Sequence, residues 1–330
     1  MDFQNKKIGI IGTGHYLPEK ILTNADLERM VDTTDEWITT RTGIKQRRIA
    51  KPGVATSDMA AIAAKEALEN AKINPEDLDL IIIGTITPDM QFPATACLVQ
   101  AKIGAKNAAA FDISAACSGF IYAISVAEAL IRTGQYKNAL VLGAEVLSSI
   151  VDWQDRNTCV LFGDGAGAAV LAPVDEGGIL STHLGSDGNE AELLNMPAGG
   201  SRMPASEETL KNRMHYLKMS GNEVFKLAVK AMADAANKAA SKAGIVSIEE
   251  IDLIIPHQAN MRILMAVANR LKLSEAKLFL NVDRYGNMSS ASTAVALYEA
   301  VKAGRIKKGD NIMLVAFGAG LTWAACVIKW

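Results

Sequence analysis

Mostly apolar runs of strand length alternate with helix-length amphipathic segments along this chain. Residues 78–84, 108–113 and 139–143 carry almost no charge, the pattern of strands covered on both faces. Residues 57–71, 94–102 and 118–131 place apolar side chains at helical spacing, and Ser57-Asp58 predicts an N-terminal cap for the first of them. Residues 24–31 and 35–41 predict two short helices, and 87–93 a loop. Residues 7–14 predict a strand ending in a glycine turn. They hint at a dinucleotide fingerprint, but Leu17 stands at the third glycine position and no well-formed helix follows. Residues 312–328 are uncharged, yet the run falls short of the about 20 residues of a membrane span and Gly318-Ala319-Gly320 interrupts it. Two buried strands joined by a tight turn fit it better.

Much of this order recurs at a near-constant offset of about 170 residues. Ile8 has a counterpart at Ile179, and the helix ending at Ile73 one ending near Ile245. Residues 79–82, 110–113 and 140–143 match 252–255, 279–282 and 313–316. The pattern predicts duplication of one α/β unit, with an N-terminal half of residues 1–173 and a C-terminal half of residues 174–330. The expected fold is α/β, two duplicated halves stacked in layers with mixed, mostly parallel sheets. In such sheets chemistry collects at the carboxyl ends of the strands.

Composition narrows the function classes. The 330 residues are 49% hydrophobic and 21% charged, a globular mix with room for a large core. A net charge of −2 gives no bulk argument for nucleic acid. Cys97, Cys117, Cys159 and Cys326 form no CxxC pair, and the polar opening of the chain does not read as a secretory leader. A cytoplasmic protein with free thiols is expected.

Cys117 sits where the 108–113 strand gives way to the 118–131 helix, among Ser114, Ala115, Ala116, Ser118 and Gly119. Alone, this stretch fits a buried structural cysteine best. As a nucleophile at a helix N-terminus, its thiol is expected to fall below the ordinary pKa of about 8.5. The repeat pairs Cys117 with Gly286, beside Asn287, ahead of the small-residue helix at 289–294. His257 follows another second-half strand, before Gln258 and Asn260. Pseudo-two-fold symmetry would bring nucleophile, imidazole and carboxamide into one pocket. His257 also fits a helix cap, and Asn287 a turn residue that tolerates positive φ. His15, His183 and His215 read as incidental. Arg41, Lys45, Arg47 and Arg48 form a basic cluster that reads as solvated surface. Gly163-Asp164-Gly165-Ala166-Gly167 lacks the ending of a phosphate loop and reads as close backbone packing. No residue cluster has metal-ligand spacing.

With these residues in view, the chain resembles β-ketoacyl-acyl carrier protein synthase III of bacterial fatty acid synthesis over nearly its whole length. The resemblance is carried by Asp35-Glu36-Trp37-Ile38 with Arg41-Thr42-Gly43-Ile44, by 112–120 around Cys117, by 162–166, by Pro256-His257-Gln258-Ala259-Asn260, by 285–292 around Asn287, and by 317–323. It implies a thiolase-like fold, a homodimer, and no cofactor or metal. It also implies the reaction: Cys117 takes an acyl group, acetyl in the simplest case, from acyl-coenzyme A, and malonyl-acyl carrier protein loses CO2 and attacks it. His257 and Asn287 would donate to the thioester oxygen, and the backbone N–H groups of Cys117 and Ala319 would form the oxyanion hole. By the same match Trp37, Arg41, Arg156, Asn222 and Asn260 would bind coenzyme A. Phe92 would close the acyl pocket across the dimer, and Lys226 and Arg262 would meet the carrier protein. Met288 departs from the usual Thr of the motif, so local packing there is expected to differ. A papain-like protease shares the Cys, His, Asn order but not the duplicated α/β pattern. A relative condensing longer, branched or specialised acyl groups is the closer alternative, and a non-catalytic carrier-protein partner is disfavoured by the intact set of three.

Overall fold

The computed structural model describes residues 6–330; the first residues of the polar opening lie outside that range. The first half contributes strands β1 (Lys7–Tyr16), β2 (Leu80–Gly84), β3 (Ala109–Ile113), β4 (Ala139–Glu145) and β5 (Gly165–Val174), and helices α1 (Thr56–Ala71), α2 (Thr95–Ile103) and α3 (Gly119–Arg132). The second contributes β6 (Gly178–Ser186), β7 (Leu253–Pro256), β8 (Asn311–Gly318) and β9 (Thr322–Lys329), with α4 (Gly221–Lys242), α5 (Met261–Arg270) and α6 (Ser290–Lys302). A small hairpin, Lys20–Thr23 with Gln46–Ile49, and the short helices Asn24–Glu28 and Asp35–Thr42 stand beside the first sheet.

The sheets run in the order β1-β5-β4-β2-β3 and β6-β9-β8-β7. Position for position they repeat one another. The outer pairs β1/β5 and β6/β9 are antiparallel, as are β5/β4 and β9/β8, while β4/β2 and β8/β7 are parallel. The counterpart of β3 has shrunk to one parallel bridge, Ile254 with Leu278. Gln258 stands in for the lost ladder. Its amide donates to Pro256 O and Phe279 O, and its oxygen accepts from Asn281 and Val282 N–H. The sheets are therefore mixed, and the expectation of mostly parallel pairing is corrected. Among the described residues, parallel ladders sit only around β2 and beside β7, because β5 and β9 each follow β4 and β8 back in the opposite direction.

Alternation along each strand explains the uninterrupted apolar runs. Leu80 and Ile82 face a central layer with Phe120 and Ile124 of α3, Leu297 of α6 and Leu314 of β8. Ile81 and Ile83 face the outer layer of α1 and α2 with Ala64 and Val99. On the far side, Met313, Val315 and Val327 pack under α4 and α5 with Met232 and Val267. Helices thus cover both faces of both sheets, and α3 and α6 lie between them. Helix α1 starts at Thr56, and Asp58 caps it from inside by accepting the Ala55 N–H at 2.9 Å.

One part of the basic cluster is not surface. Arg47 is 0% exposed and donates to Leu22 O, Asn24 Oδ1 and Val160 O. The hairpin folds onto the segment at 160–163, so sequence-distant carbonyls converge on the guanidinium and replace water.

Candidate active site

The helix α3 begins in a short turn, Ala116–Ser118, whose first residue has φ of +45°. This left-handed residue turns the chain sharply and presents Cys117 to the inside of the molecule. The same device recurs in the second half, where Ser289, φ +47°, precedes α6. The matched turns place Cys117 opposite Ser290 rather than Gly286, because a short helix at Val282–Tyr285 replaces the end of the missing strand.

Glycine lets the two turns meet the opposite sheets. A Cβ on Gly318, at the end of β8, would lie 2.6 Å from Cys117 N, and one on Gly143 of β4 would lie 2.3 Å from Ser290 O. Thr322 fastens this junction by donating to Ala115 O at 2.9 Å. Cys117, His257, Asn287, Ser289, Gly318 and Ala319 line one cavity of about 690 Å³. The sequence-predicted triad therefore shares one pocket.

Each member is held by backbone geometry. The His257 N–H donates to Val315 O at 2.7 Å, extending the β7/β8 ladder by one residue. Burial pushes the imidazole down to about 3, so it is neutral at physiological pH, and its Nδ1 has no hydrogen-bond partner among the described residues. Asn287 donates its N–H to Leu161 O at 2.8 Å and accepts from Gly163 N–H at 2.9 Å. Its side-chain oxygen accepts from Ser289 N–H at 2.8 Å, which leaves the amide NH2 group as the free end. Met288 turns away from the cavity and packs with Leu17, Tyr285, Ala291 and Val295, so the departure from Thr changes the core behind the site.

The thiol does not behave as the helix N-terminus predicts. Burial pushes Cys117 up to about 12, with Glu145 adding to the rise and the nearby Ser289 opposing it. Desolvation of the thiolate outweighs the dipole. At neutral pH the side chain is therefore a neutral thiol. Glu145 itself is fully buried, and burial raises its carboxyl. It accepts from Thr87 Oγ1, Thr85 Oγ1, Ser290 Oγ and the N–H groups of Ile86 and Thr87, tying the β2 loop to α6. A lone Glu at a strand end gave no sequence signal for this role.

The other expected residues divide. Arg41, Asn222, Lys226, Asn260 and Arg262 line the cavity, whereas Trp37, Phe92 and Arg156 do not. Trp37 instead carries the guanidinium groups of Arg41 and Arg156 at 4.7 and 5.2 Å from its ring centroid. Asn260 caps α5 through its oxygen, leaving its NH2 free. Lys226 is paired with Glu223 at 3.3 Å, and Arg262 lies over Phe225. Phe92 is 85% exposed. Sequence reasoning missed the apolar wall of Leu147, Ile150, Leu161, Leu194, Leu217 and Met219, which comes from unconnected segments. Of the other histidines, His15 contacts Glu66 at 3.0 Å and stacks on Tyr298, and His215 contacts Thr209, all outside the cavity lining. No group of three or more His, Cys, Asp or Glu among the described residues could hold a metal ion.

Residues 111–188 match the family model of 3-oxoacyl-[acyl-carrier-protein] synthase III, and residues 241–330 match that family's C-terminal model. The chain is 62% identical over 323 residues to a beta-ketoacyl-[acyl-carrier-protein] synthase III of Caldanaerobacter subterraneus subsp. tengcongensis, covering 98% of this chain and 97% of that one. The crystal structure of the synthase III of Aquifex aeolicus is similar with a TM-score of 0.90 at 52% identity, covering 98% of this chain and all of that one. The priming β-ketosynthase of a polyketide pathway is similar at 34% identity with a TM-score of 0.91, covering 98% and 96%. Two repeated sheets, a thiol, an imidazole and a carboxamide in one cavity, and this similarity along nearly the whole length lead to one conclusion: the chain belongs to the 3-oxoacyl-[acyl-carrier-protein] synthase III family of thiolase-fold condensing enzymes.

Proposed function

We propose that Cys117, His257 and Asn287 carry the family's reaction here, the condensation of an acyl-coenzyme A with malonyl-acyl carrier protein that initiates fatty acid synthesis. In the first step Cys117 Sγ attacks the thioester carbonyl, the coenzyme A sulfur leaves with the proton, and the acyl group stays on the enzyme. Thiol chemistry suits this exchange because sulfur is both nucleophile and leaving group. The N–H groups of Cys117 and Ala319 would hold the carbonyl oxygen, a role supported by the close approach of Gly318, the neighbour of Ala319, to Cys117 N. In the second step malonyl thioester loses CO2, and the enolate carbon attacks acyl-Cys117, which leaves as thiolate. The product is 3-ketoacyl-acyl carrier protein. His257 and Asn287 would donate to the enolate oxygen. A neutral imidazole supports this role for His257, and the Ser289 contact that frees the amide NH2 supports it for Asn287.

The observation that carries the reading is the shared lining of one cavity by these three side chains. Arg41, Asn222 and Asn260 along it, and the Arg41–Trp37–Arg156 cluster outside, suit a pantetheine arm and an adenine nucleotide. Lys226 and Arg262 would meet the acidic carrier protein. A homodimer is supported by the edge strand β3, with Phe111 partly exposed, and by Met90 and Phe92 on the neighbouring loop; Phe92 would enter the partner's acyl pocket. Acetyl is the proposed primer and the cytoplasm the proposed location; no helix among the described residues is long and apolar enough to cross a membrane. The apolar wall at Leu147, Leu194 and Leu217 also suits longer primers, the second reading. Incubation with a mixture of acyl-coenzyme A thioesters, followed by mass spectrometry, tests both. Acetyl on the Cys117 peptide is the expected result. A longer acyl group there would favour the second reading, and no acyl group on Cys117 would overturn both.

A further inference from the structure

Arg47 is a buried cation with no carboxylate within ion-pair reach among the described residues, a costly arrangement for a fold to keep. Burial lowers its pKa only to about 10, so the charge persists at neutral pH. Its bonds run in two directions. One amino group reaches Val160 O. The next residue, Leu161, accepts the Asn287 N–H at 2.8 Å, and Gly163 donates to Asn287 O at 2.9 Å. The other amino group donates to Asn24 Oδ1 at 2.8 Å. Asn24 in turn donates to Ile44 O at 2.8 Å and to Asp35 Oδ1 at 2.7 Å, at the start of the helix that carries Trp37 and Arg41. The stem of Arg47 also passes under the turn itself. A Cβ on Gly163 would lie 3.0 Å from Arg47 Cβ, and one on Gly286 would lie 3.3 Å from it.

We propose that Arg47 is a positioning residue for Asn287, clamping the 160–163 segment that holds the Asn287 backbone to the helix that carries Trp37 and Arg41. This rests on the proposed role of Asn287 as a donor in decarboxylation. A guanidinium suits the task because its planar fork satisfies acceptors on two segments at once, and an ammonium on a shorter fork-less stem does not. Displacement of Asn287 by a fraction of an ångström would weaken a donor aimed at developing charge and leave the thiol of Cys117 where it is.

Arg47→Lys keeps the charge and loses the fork. The measurements are labelled acetyl transfer to Cys117, CO2 release from malonyl-acyl carrier protein, and thermal unfolding, each beside the unsubstituted protein. The expected result is CO2 release lowered by about tenfold or more in kcat with KM for malonyl-acyl carrier protein retained, and acetyl transfer at saturating acetyl-coenzyme A within about twofold. Equal loss of both half-reactions, or loss of neither, would overturn the proposal. Should Arg47→Lys not fold, Asn24→Ser removes one arm of the clamp, and the same split, at about threefold or more, is expected; its absence overturns the proposal equally. If the unsubstituted protein itself neither takes acetyl on Cys117 nor releases CO2, the proposed function fails first, and the two failures are told apart.

Discussion

The two turns that lead into α3 and α6 at the centre of the molecule are built alike and carry different side chains. In the first half the left-handed Ala116 introduces Cys117, and the end of β8 closes over its peptide at Gly318. In the second half the left-handed Ser289 introduces Ser290, and β4 closes over that peptide at Gly143. The first turn offers the Cys117 thiol to the cavity. At the second, Ser290 Oγ is spent on Gly84 O and Glu145, and the turn gives the cavity Ser289 and the Asn287 amide instead. A symmetric scaffold thus supplies two equivalent positions, with a thiol at one and a carboxamide beside the other; in the proposed reaction that asymmetry would divide acyl holding from charge stabilisation.

Removing the active side chain of each turn should separate those tasks. Cys117→Ala is expected to abolish acyl transfer to the protein while CO2 release from malonyl-acyl carrier protein persists, because His257 and Asn287 remain. Labelled acetyl retention beside CO2 release reads this directly. Asn287→Ala is expected to reverse the pattern, with CO2 release falling about 10²- to 10³-fold, the usual loss for one donor to an oxyanion, and acyl-Cys117 still forming. An Asn287→Ala protein that loses acetylation and keeps CO2 release would show that the turns have been assigned the wrong way round.

The glycines opposite each turn allow a subtler comparison. Gly318→Ala forces a methyl against Cys117 N, and Gly143→Ala forces one against Ser290 O. Neither obstacle is a flexible side-chain tip, so each substitution should cost about 1–3 kcal/mol by overpacking, read as a lowered denaturant midpoint. Their activity effects should differ: acyl transfer suffers more in Gly318→Ala, and CO2 release more in Gly143→Ala. Identical activity profiles for the two would mean that the turns are coupled too tightly to be treated separately.

Much of this division is readable from the chain. The apolar runs at 78–84 and 139–143 locate buried strands, and the repeat pairs Cys117 with Gly286, beside Asn287, at corresponding ends of the two halves. What escapes is whatever depends on three-dimensional convergence. Arg47 reads as one of four neighbouring cations until carbonyls from 22 and 160 enclose it. The thiol of Cys117 reads as acidic from its helix until cavity walls from residues such as Phe162 and Phe317 remove its water. The β3 counterpart reads as a strand until Gln258, a side chain, takes over its hydrogen bonds.

The two halves also bury opposite kinds of titratable group, and this gives the smallest expected effect. Burial raises the carboxyl of Glu145 in the first half and lowers the imidazole of His257 in the second to about 3. For His257 the unfolded chain, near 6.5, binds a proton before the folded one does, so stability must fall as pH drops from 6.5 toward 3. At pH 5.5 the linkage is on the order of 1 kcal/mol, roughly 2 °C for a chain of this size. Glu145 has the opposite sign. Its folded state holds the proton above pH 4.5, so its contribution is complete in acid and declines as pH rises through the folded value. His257→Gln should therefore flatten the acid limb of a thermal-unfolding profile between pH 7 and 5, by about 3 °C relative to the unsubstituted protein. Glu145→Gln should leave the His257 contribution to that limb in place. If His257→Gln leaves the limb as steep as before, the imidazole is not held neutral by its burial, and the case for it as a neutral donor to the thioester oxygen loses its physical basis.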